Sequence, residues 1–219
     1  MPKGFHIIFY KEGHMDQHAM HYDTLMKVTT AISQCKEAED VALLTAESVK
    51  TAFNAKGCAV FLVDKETREL GLMASSGLSQ EYLSKGPIHF MQDIKEAKDA
   101  VPIAIFDVMD DPRIQYPEAA QKEEIASLLG VPIITHNKII GALRLYTGEP
   151  WEFTHHDIVM VQAVALICGM AMDACRMYRG YKTSIEILKE MRSGSSFASH
   201  KWTPFEGVPK SVTQSICNY

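Results

Sequence analysis

The stretch LLGVPIITHNKIIGALRLY, Leu128–Tyr146, decides the architecture. It divides into two apolar runs around a polar break. Val131–Thr135 is rich in β-branched residues, His136-Asn137-Lys138 is polar, and Ile139–Tyr146 is apolar again. That pattern predicts two strands and the turn between them. Asn137 tolerates the positive φ that a tight hairpin demands. Gly141, inside the second run, predicts a bulge or a close approach of another backbone. Pro132 cannot donate a ladder hydrogen bond, which places it near a strand start or on an edge. Gly148-Glu149-Pro150 then breaks the pattern, and a long helical stretch opens near Thr154.

Read outward, the same residues carry a family resemblance. Ser127–Tyr146, followed by Trp151-Glu152-Phe153-Thr154 and Asp157 at the head of a helix, resembles the closing half of a GAF domain. Upstream, VPIAIFDVMDDPRI (Val101–Ile114) resembles that family's strand and its Asp-x-x-x-Asp-Pro-Arg turn. The resemblance spans roughly Lys36–Tyr178. It implies an α+β fold: a central antiparallel β-sheet, N- and C-terminal helices on one face, and loops and short helices over a ligand pocket on the other. It places Phe61, Met73, Phe90, Ile105, Asp107, Tyr116 and Leu128 around that pocket, with Asp107 at its mouth. Each of these positions is equally suited to plain core packing. One fold hosts many functions, so the resemblance specifies architecture better than activity.

Composition agrees with a single domain plus extensions. The chain has 219 residues, 47% hydrophobic and 22% charged, enough for a sizeable core. Its net charge of −5 disfavours generic binding to nucleic acid or to an anionic membrane. The five cysteines, Cys35, Cys58, Cys168, Cys175 and Cys217, are odd in number and contain no Cys-x-x-Cys pair. Reduced thiols in a cytoplasmic setting are expected from that usage. Phe5–Tyr10 is too short for a signal peptide. Ile158–Ala171 is interrupted by Gln162 and followed by Asp173, which predicts a buried helix and not a membrane span.

In chain order, the spacing predicts a helix over His14–Cys35 and another over Glu37–Asn54, the latter ended by Lys56-Gly57. Cys58–Asp64 and Glu69–Ser75 read as an antiparallel strand pair. A short helix is expected at Gln80–Ser84, weak helicity at Gln92–Asp99, a central strand at Ile103–Val108 and a short polar helix at Glu118–Ile125. The last helix runs from its N-cap Thr154 toward Met191, with Gly180 a possible stop. In it Val161, Val164, Cys168, Ala171, Cys175, Tyr178, Lys182 and Ile185 follow heptad spacing, the pattern of a homodimer seam. An ordinary helix packed on the sheet would show the same spacing. The resulting organisation is an N-terminal extension and helix (1–35), a GAF-like domain (36–178) and a C-terminal helix extension with a tail (179–219).

Few constellations suggest chemistry. His14, His18 and His21 share a helical face, a spacing that can chelate a metal but equally suits a solvated helix start. Cys168 and Cys175, seven apart, are expected as small core residues. Asp110 and Asp111 before Pro112 read as turn-forming side chains. The sequence contains no nucleophile elbow, phosphate-cradling glycine loop or zinc spacing. Within the resembled family, the cyclic-nucleotide signature lacks its partners around Asn137-Lys138. No cysteine lies between Arg68 and Leu166 to hold a bilin or to reduce methionine sulfoxide, and only His89 and His136 stand near the expected cavity. No metal site is assigned and the cofactor is left unknown. What the resemblance implies is a non-enzymatic sensor binding an unidentified small molecule, dimeric through its terminal helices. It would signal to a separate kinase or transcription regulator, without nucleic acid or membrane. The alternatives are a GAF-fold enzyme using Asp107 or a histidine, and a scaffold with a vestigial pocket.

Overall fold

The computed structural model describes residues 25–194 except 27, 31, 36, 65, 68, 87 and 90–100. The readings made for residues 1–13, for the histidines at 14, 18 and 21, for Phe90, for helicity at 92–99 and for the tail lie outside the described residues. Residues 25–33 are helical where described. Helix α1, Ala38–Ala52, follows; it buries Ala38, Val41, Ala42, Thr45, Ala46 and Val49 along one stripe. Its one buried hydroxyl, Thr45 Oγ1, donates to the Val41 carbonyl at 2.7 Å. Gly57 does not end this helix as the sequence suggested. Asn54 does, at φ 45°, with Ala55 N–H donating to the Lys50 carbonyl and Asn54 N–H to that of Thr51. That is a Schellman closure with asparagine in the left-handed position.

Among the described residues six strands follow, interrupted by two short helices: β1 (Gly57–Val63), β2 (Glu69–Ser76), α2 (Gln80–Leu83), β3 (Ile88–His89), β4 (Ile103–Ile105), α3 (Pro117–Lys122), β5 (Ser127–Thr135) and β6 (Lys138–Thr147). All pairings are antiparallel, in the order β3-β2-β1-β6-β5-β4. The segment Ile103–Val108 is therefore not central. Its strand stops at Ile105 and forms the sheet edge, because the last hairpin occupies the centre beside β1. Pro132 sits within β5, yet β4 pairs only with Leu128–Gly130. Beyond that point no strand pairs with this side of β5 among the described residues, so a missing N–H there leaves no ladder bond unmade.

The organising hairpin closes through His136 and Asn137, at φ 48° and 59°, with Thr135 opposite Lys138. Two successive positive φ values make a type I′ turn, whose twist matches that of the strands. Two irregularities mark the ladder: β1 and β2 shift register between Val60 and Phe61, and β5 and β6 between Ile133 and Ile134.

Alternation along the strands sorts side chains to two faces. Val60, Leu129, Val131, Ile133, Leu143 and Leu145 pack with α1 and the last helix in one cluster. Ala59, Phe61, Leu70, Leu128, Ala142 and Tyr146 pack beneath Tyr82 and Ala120 of the short helices in the other. The expected α+β architecture is what forms.

Helix α4, His155–Gly194, runs through Gly180 without a break. Its start is a reciprocal cap. Asp157 N–H donates to Thr154 Oγ1 (3.1 Å), while Thr154 N–H (2.9 Å) and its hydroxyl (2.8 Å) donate to Asp157 Oδ2. Thr154→Ala is expected to lower stability by about 1 kcal/mol in urea denaturation; an unchanged midpoint would show that Asp157 alone holds the first turn. By length and composition His155–Met191 could cross a bilayer. Burial decides the matter differently: Val161, Val164, Ala165, Cys168 and Met172 are spent in the first cluster. The upstream half of the expected heptad seam is thus intramolecular core. The chain divides into two compact units, Met1–Cys175 and Arg176–Tyr219. In the second, residues 176–191 are exposed.

Candidate functional site

On the face opposite α1 and α4, α2 and α3 flank an open cavity of about 700 Å³. Local sequence explains its walls. Ser79 caps α2, accepting the Tyr82 N–H on its hydroxyl at 3.1 Å. Pro117 starts α3 at a position where a proline has no helical N–H to lose. Glu123, just past α3, joins the two: its carboxylate accepts the Ser79 N–H (2.8 Å) and the Ser79 hydroxyl. Tyr82, Lys85, Tyr116 and Lys122 line the cavity with Glu81 and Glu118, and Lys122 and Glu81 stand 4.0 Å apart at its exposed rim.

Tyr82, one of its walls, also belongs to the second core, where it meets a group of polar side chains. Arg144 projects from β6 between Ala142 and Tyr146, with small neighbours across both ladders: Ala59 on β1 and Gly130 on β5. Its guanidinium carbon is 5.7 Å from the Phe61 ring centroid. Tyr146 is fully buried and meets Tyr82 edge-on, centroids 5.7 Å apart. The Tyr146 hydroxyl makes no hydrogen bond of ordinary geometry with the described residues; Arg144, by its charge and as a donor, and Tyr82, as a donor, stand close enough to oppose in part the effect of burial on it. Lys85 Nζ lies 3.4 Å over the Tyr82 ring and donates to the Tyr82 carbonyl at 3.0 Å.

The electrostatics follow from this crowding. Burial, then the positive charge of Arg144, pulls Lys85 down to about 8, with Glu123 opposing. Burial raises Tyr82, as does its neighbour Tyr146, and burial raises Tyr146 likewise. Between pH 8 and the ordinary lysine value the unfolded chain holds a proton at Lys85 that the folded chain has lost. Lys85 alone therefore contributes stability that rises with pH across that window, against the opposite contribution of the buried thiols and tyrosines; the difference between the stability–pH curves of the unsubstituted protein and Lys85→Met isolates it.

An unpartnered buried hydroxyl carries a desolvation cost. Without ligand, Tyr146→Phe is accordingly expected to leave urea stability unchanged or raise it by up to about 1 kcal/mol. A clear loss would mean that the hydroxyl is bonded in solution.

The residues expected around the pocket divide. Tyr116 lines the cavity, and Phe61, Ile105 and Leu128 lie in the cluster beneath it. Met73 does not: it packs against the helix-side cluster. A regular ladder would put Met73 opposite Phe61, but the bulge puts Leu72 there and turns Met73 to the other face. Asp107 also misses the large cavity. Because β4 ends at Ile105, Asp107 falls in the following turn, where it accepts the Met109 N–H at 2.8 Å. It borders a separate hollow of about 280 Å³. Asp111 does the turn work expected of it: its bonds with Arg113 hold its carboxyl near 2. Sequence reasoning missed Tyr82, Lys85, Arg144 and Tyr146. The strict alternation of Ala142-Leu143-Arg144-Leu145-Tyr146 was the available signal, because it sets Arg144 and Tyr146 on one face.

A family model for the GAF domain matches residues 37–172. The chain belongs to the GAF domain family. Solved structures share the fold. A GAF domain from a phosphoenolpyruvate-protein phosphotransferase of Coxiella burnetii superposes with a TM-score of 0.64 at 20% identity, covering 74% of this chain and 98% of that one. The free methionine-R-sulfoxide reductase of Neisseria meningitidis, solved with its substrate, gives 0.62 at 20% identity over 80% and 99%. A domain of a sensor histidine kinase protein of Sinorhizobium meliloti gives 0.57 at 22% over 66% and 96%. No curated protein sequence matches. The GAF fold hosts sensory domains and at least one reductase, so membership defines the scaffold and leaves the chemistry to the site.

Proposed function

We propose that this GAF protein is a small-molecule-sensing regulatory module whose ligand occupies the cavity between α2 and α3. The observation that carries the reading is a cavity of about 700 Å³ whose wall residue Tyr82 meets the buried Tyr146, a hydroxyl without a hydrogen bond of ordinary geometry. Space and unsatisfied polarity together are what a ligand site offers. A ligand acts as a signal only through unequal affinity for two arrangements, here of the short helices that flank the cavity. A separate partner such as a kinase or transcription regulator would receive it. The free thiols fit a reducing, cytoplasmic setting.

A homodimer is part of this reading, on a stripe other than the one first expected. In the second unit Met177, Tyr181, Leu188 and Met191, with Ser184 between, repeat at steps of four and three and are exposed. Leu188→Glu should convert dimer to monomer in light scattering if that stripe is the seam.

The rival reading, a reductase like the Neisseria enzyme, is disfavoured by where the four thiols among the described residues lie. Cys58 and Cys168 are in the helix-side core, and Cys35 and Cys175 pack against it. Burial raises all four, opposite to what a nucleophilic thiol needs. The test is native and denaturing mass spectrometry of the purified protein. A non-covalent small molecule near one per chain is expected. Turnover of free methionine sulfoxide with a dithiol reductant would instead favour the enzyme.

A further inference from the structure

The helix-side core has a pair of sulfurs at its rim. Val161, Val164, Cys168 and Met172 of α4 are buried in that core, and Cys175 continues their stripe where it is only half-buried. Cys35 packs against the same core. It follows the helical residues 25–33, its N–H donating to the Ile32 carbonyl at 3.1 Å, and it precedes α1. The Cys175 thiol donates to the Cys35 carbonyl at 3.8 Å, a contact between positions 140 apart in the chain. The two thiols also act on each other electrostatically. A disulfide needs Cβ atoms about 4 Å apart. A sulfur lodged against the other cysteine's own backbone is within a side-chain rotation of that spacing. Cys35 lies outside any helix, so no helical turn restricts its χ1. Both cysteines are half-buried and open to a small reagent, whereas Cys58 and Cys168 are buried.

We infer that Cys35 and Cys175 are a modification site, joining in a reversible disulfide by exchange with a small-molecule disulfide of the glutathione type. One protein thiolate attacks the reagent, forms a mixed disulfide and expels one thiolate of the reagent. The second protein thiolate attacks the protein sulfur of that mixed bond and expels the other. In total two protein thiols become one S–S bond, and one molecule of reagent is reduced to two thiols. Burial, then the Asp40 carboxylate, raises both thiols, which keeps them protonated near neutral pH and slows the exchange. The dithiol is therefore the form held in a reducing setting, and the bond records sustained oxidation in place of a brief pulse. Once closed, it ties α4 to the residues before α1 at Cys175, just ahead of the exposed run 176–191. The cavity and its ligand take no part in it.

The test equilibrates the full chain with glutathione buffers of rising oxidation, quenches with acid and an alkylating reagent, and maps the peptides without reduction by mass spectrometry. A peptide pair joined through Cys35 and Cys175, lighter by two hydrogens, is expected, with Cys58 and Cys168 alkylated only after denaturation. The oxidised protein should also unfold at a higher urea concentration than the reduced one, because the bond closes a long loop in the unfolded chain. That increment should vanish in Cys35→Ser and in Cys175→Ser, and persist in Cys217→Ser. If either of the first two serine variants fails to fold, the peptide map of the unsubstituted chain decides alone. Pairing of Cys35 or Cys175 with Cys217 would overturn the assignment. So would glutathione left standing on both sulfurs without closure, or two thiols still alkylated in the most oxidising buffer. Each of those failures would leave the ligand reading of the cavity standing.

Discussion

Gly141→Ala is expected to cost at least about 3 kcal/mol, the range of severe overpacking plus a broken ladder. Gly141 lies on β6 opposite Leu62 of β1 and Ile133 of β5. A Cβ built there would stand 2.0 Å from the Phe61 carbonyl oxygen and 3.1 Å from its carbon. These are backbone atoms of the neighbouring strand, so no side-chain rotation relieves the contact. The strands would have to part at the centre of the sheet, where β6 and β1 hold both clusters. Urea denaturation measures the loss directly. A cost below 1 kcal/mol would mean that the two strands are farther apart in solution than here. The expectation drawn from the sequence, a glycine for close backbone approach, is thereby given its partner.

Leu143→Ala should cost about 2–5 kcal/mol, by lost transfer energy and a cavity that cannot collapse. Leu143 is 0% exposed, at the middle of β6, with Val60 and Val131 beside it on the two neighbouring strands. It is held from above by a cluster reaching α1 and α4, so relaxation into the gap would have to move two helices. The informative comparison is Leu128→Ala on the other face. That side borders a cavity already, and its loss should be the smaller of the two. Equal losses would say that the two faces are packed alike, against the reading of one as core and the other as receptor.

The sheet, its last hairpin and the two-faced layout were legible because their signals are local: β-branched runs, an Asn in the turn and an N-cap threonine before a long apolar helix. What was not legible depended on registers and edges. A single-residue bulge beside Phe61 sent Met73 to the opposite face, and nothing in the residues themselves announces it. The place of Ile103–Ile105 at the sheet edge followed from the hairpin taking the centre, a fact of topology. The heptad spacing from Val161 to Cys175 was read correctly as a buried stripe and wrongly as one awaiting a second chain, since periodicity does not say what covers a face. Arg144 and Tyr146 escaped because an arginine between leucines reads as a solvated position until the sheet is known to have a roof on that side.

The consecutive residues Ala142 to Tyr146 belong by turns to two different trades. Odd-numbered members, Leu143 and Leu145, support the helices; even-numbered ones, Ala142, Arg144 and Tyr146, face the cavity side. One strand is therefore a two-channel tape. A library confined to the even channel can recolour what the protein recognises without rewriting how it stands. A single inserted or deleted residue would exchange the channels and destroy both messages together.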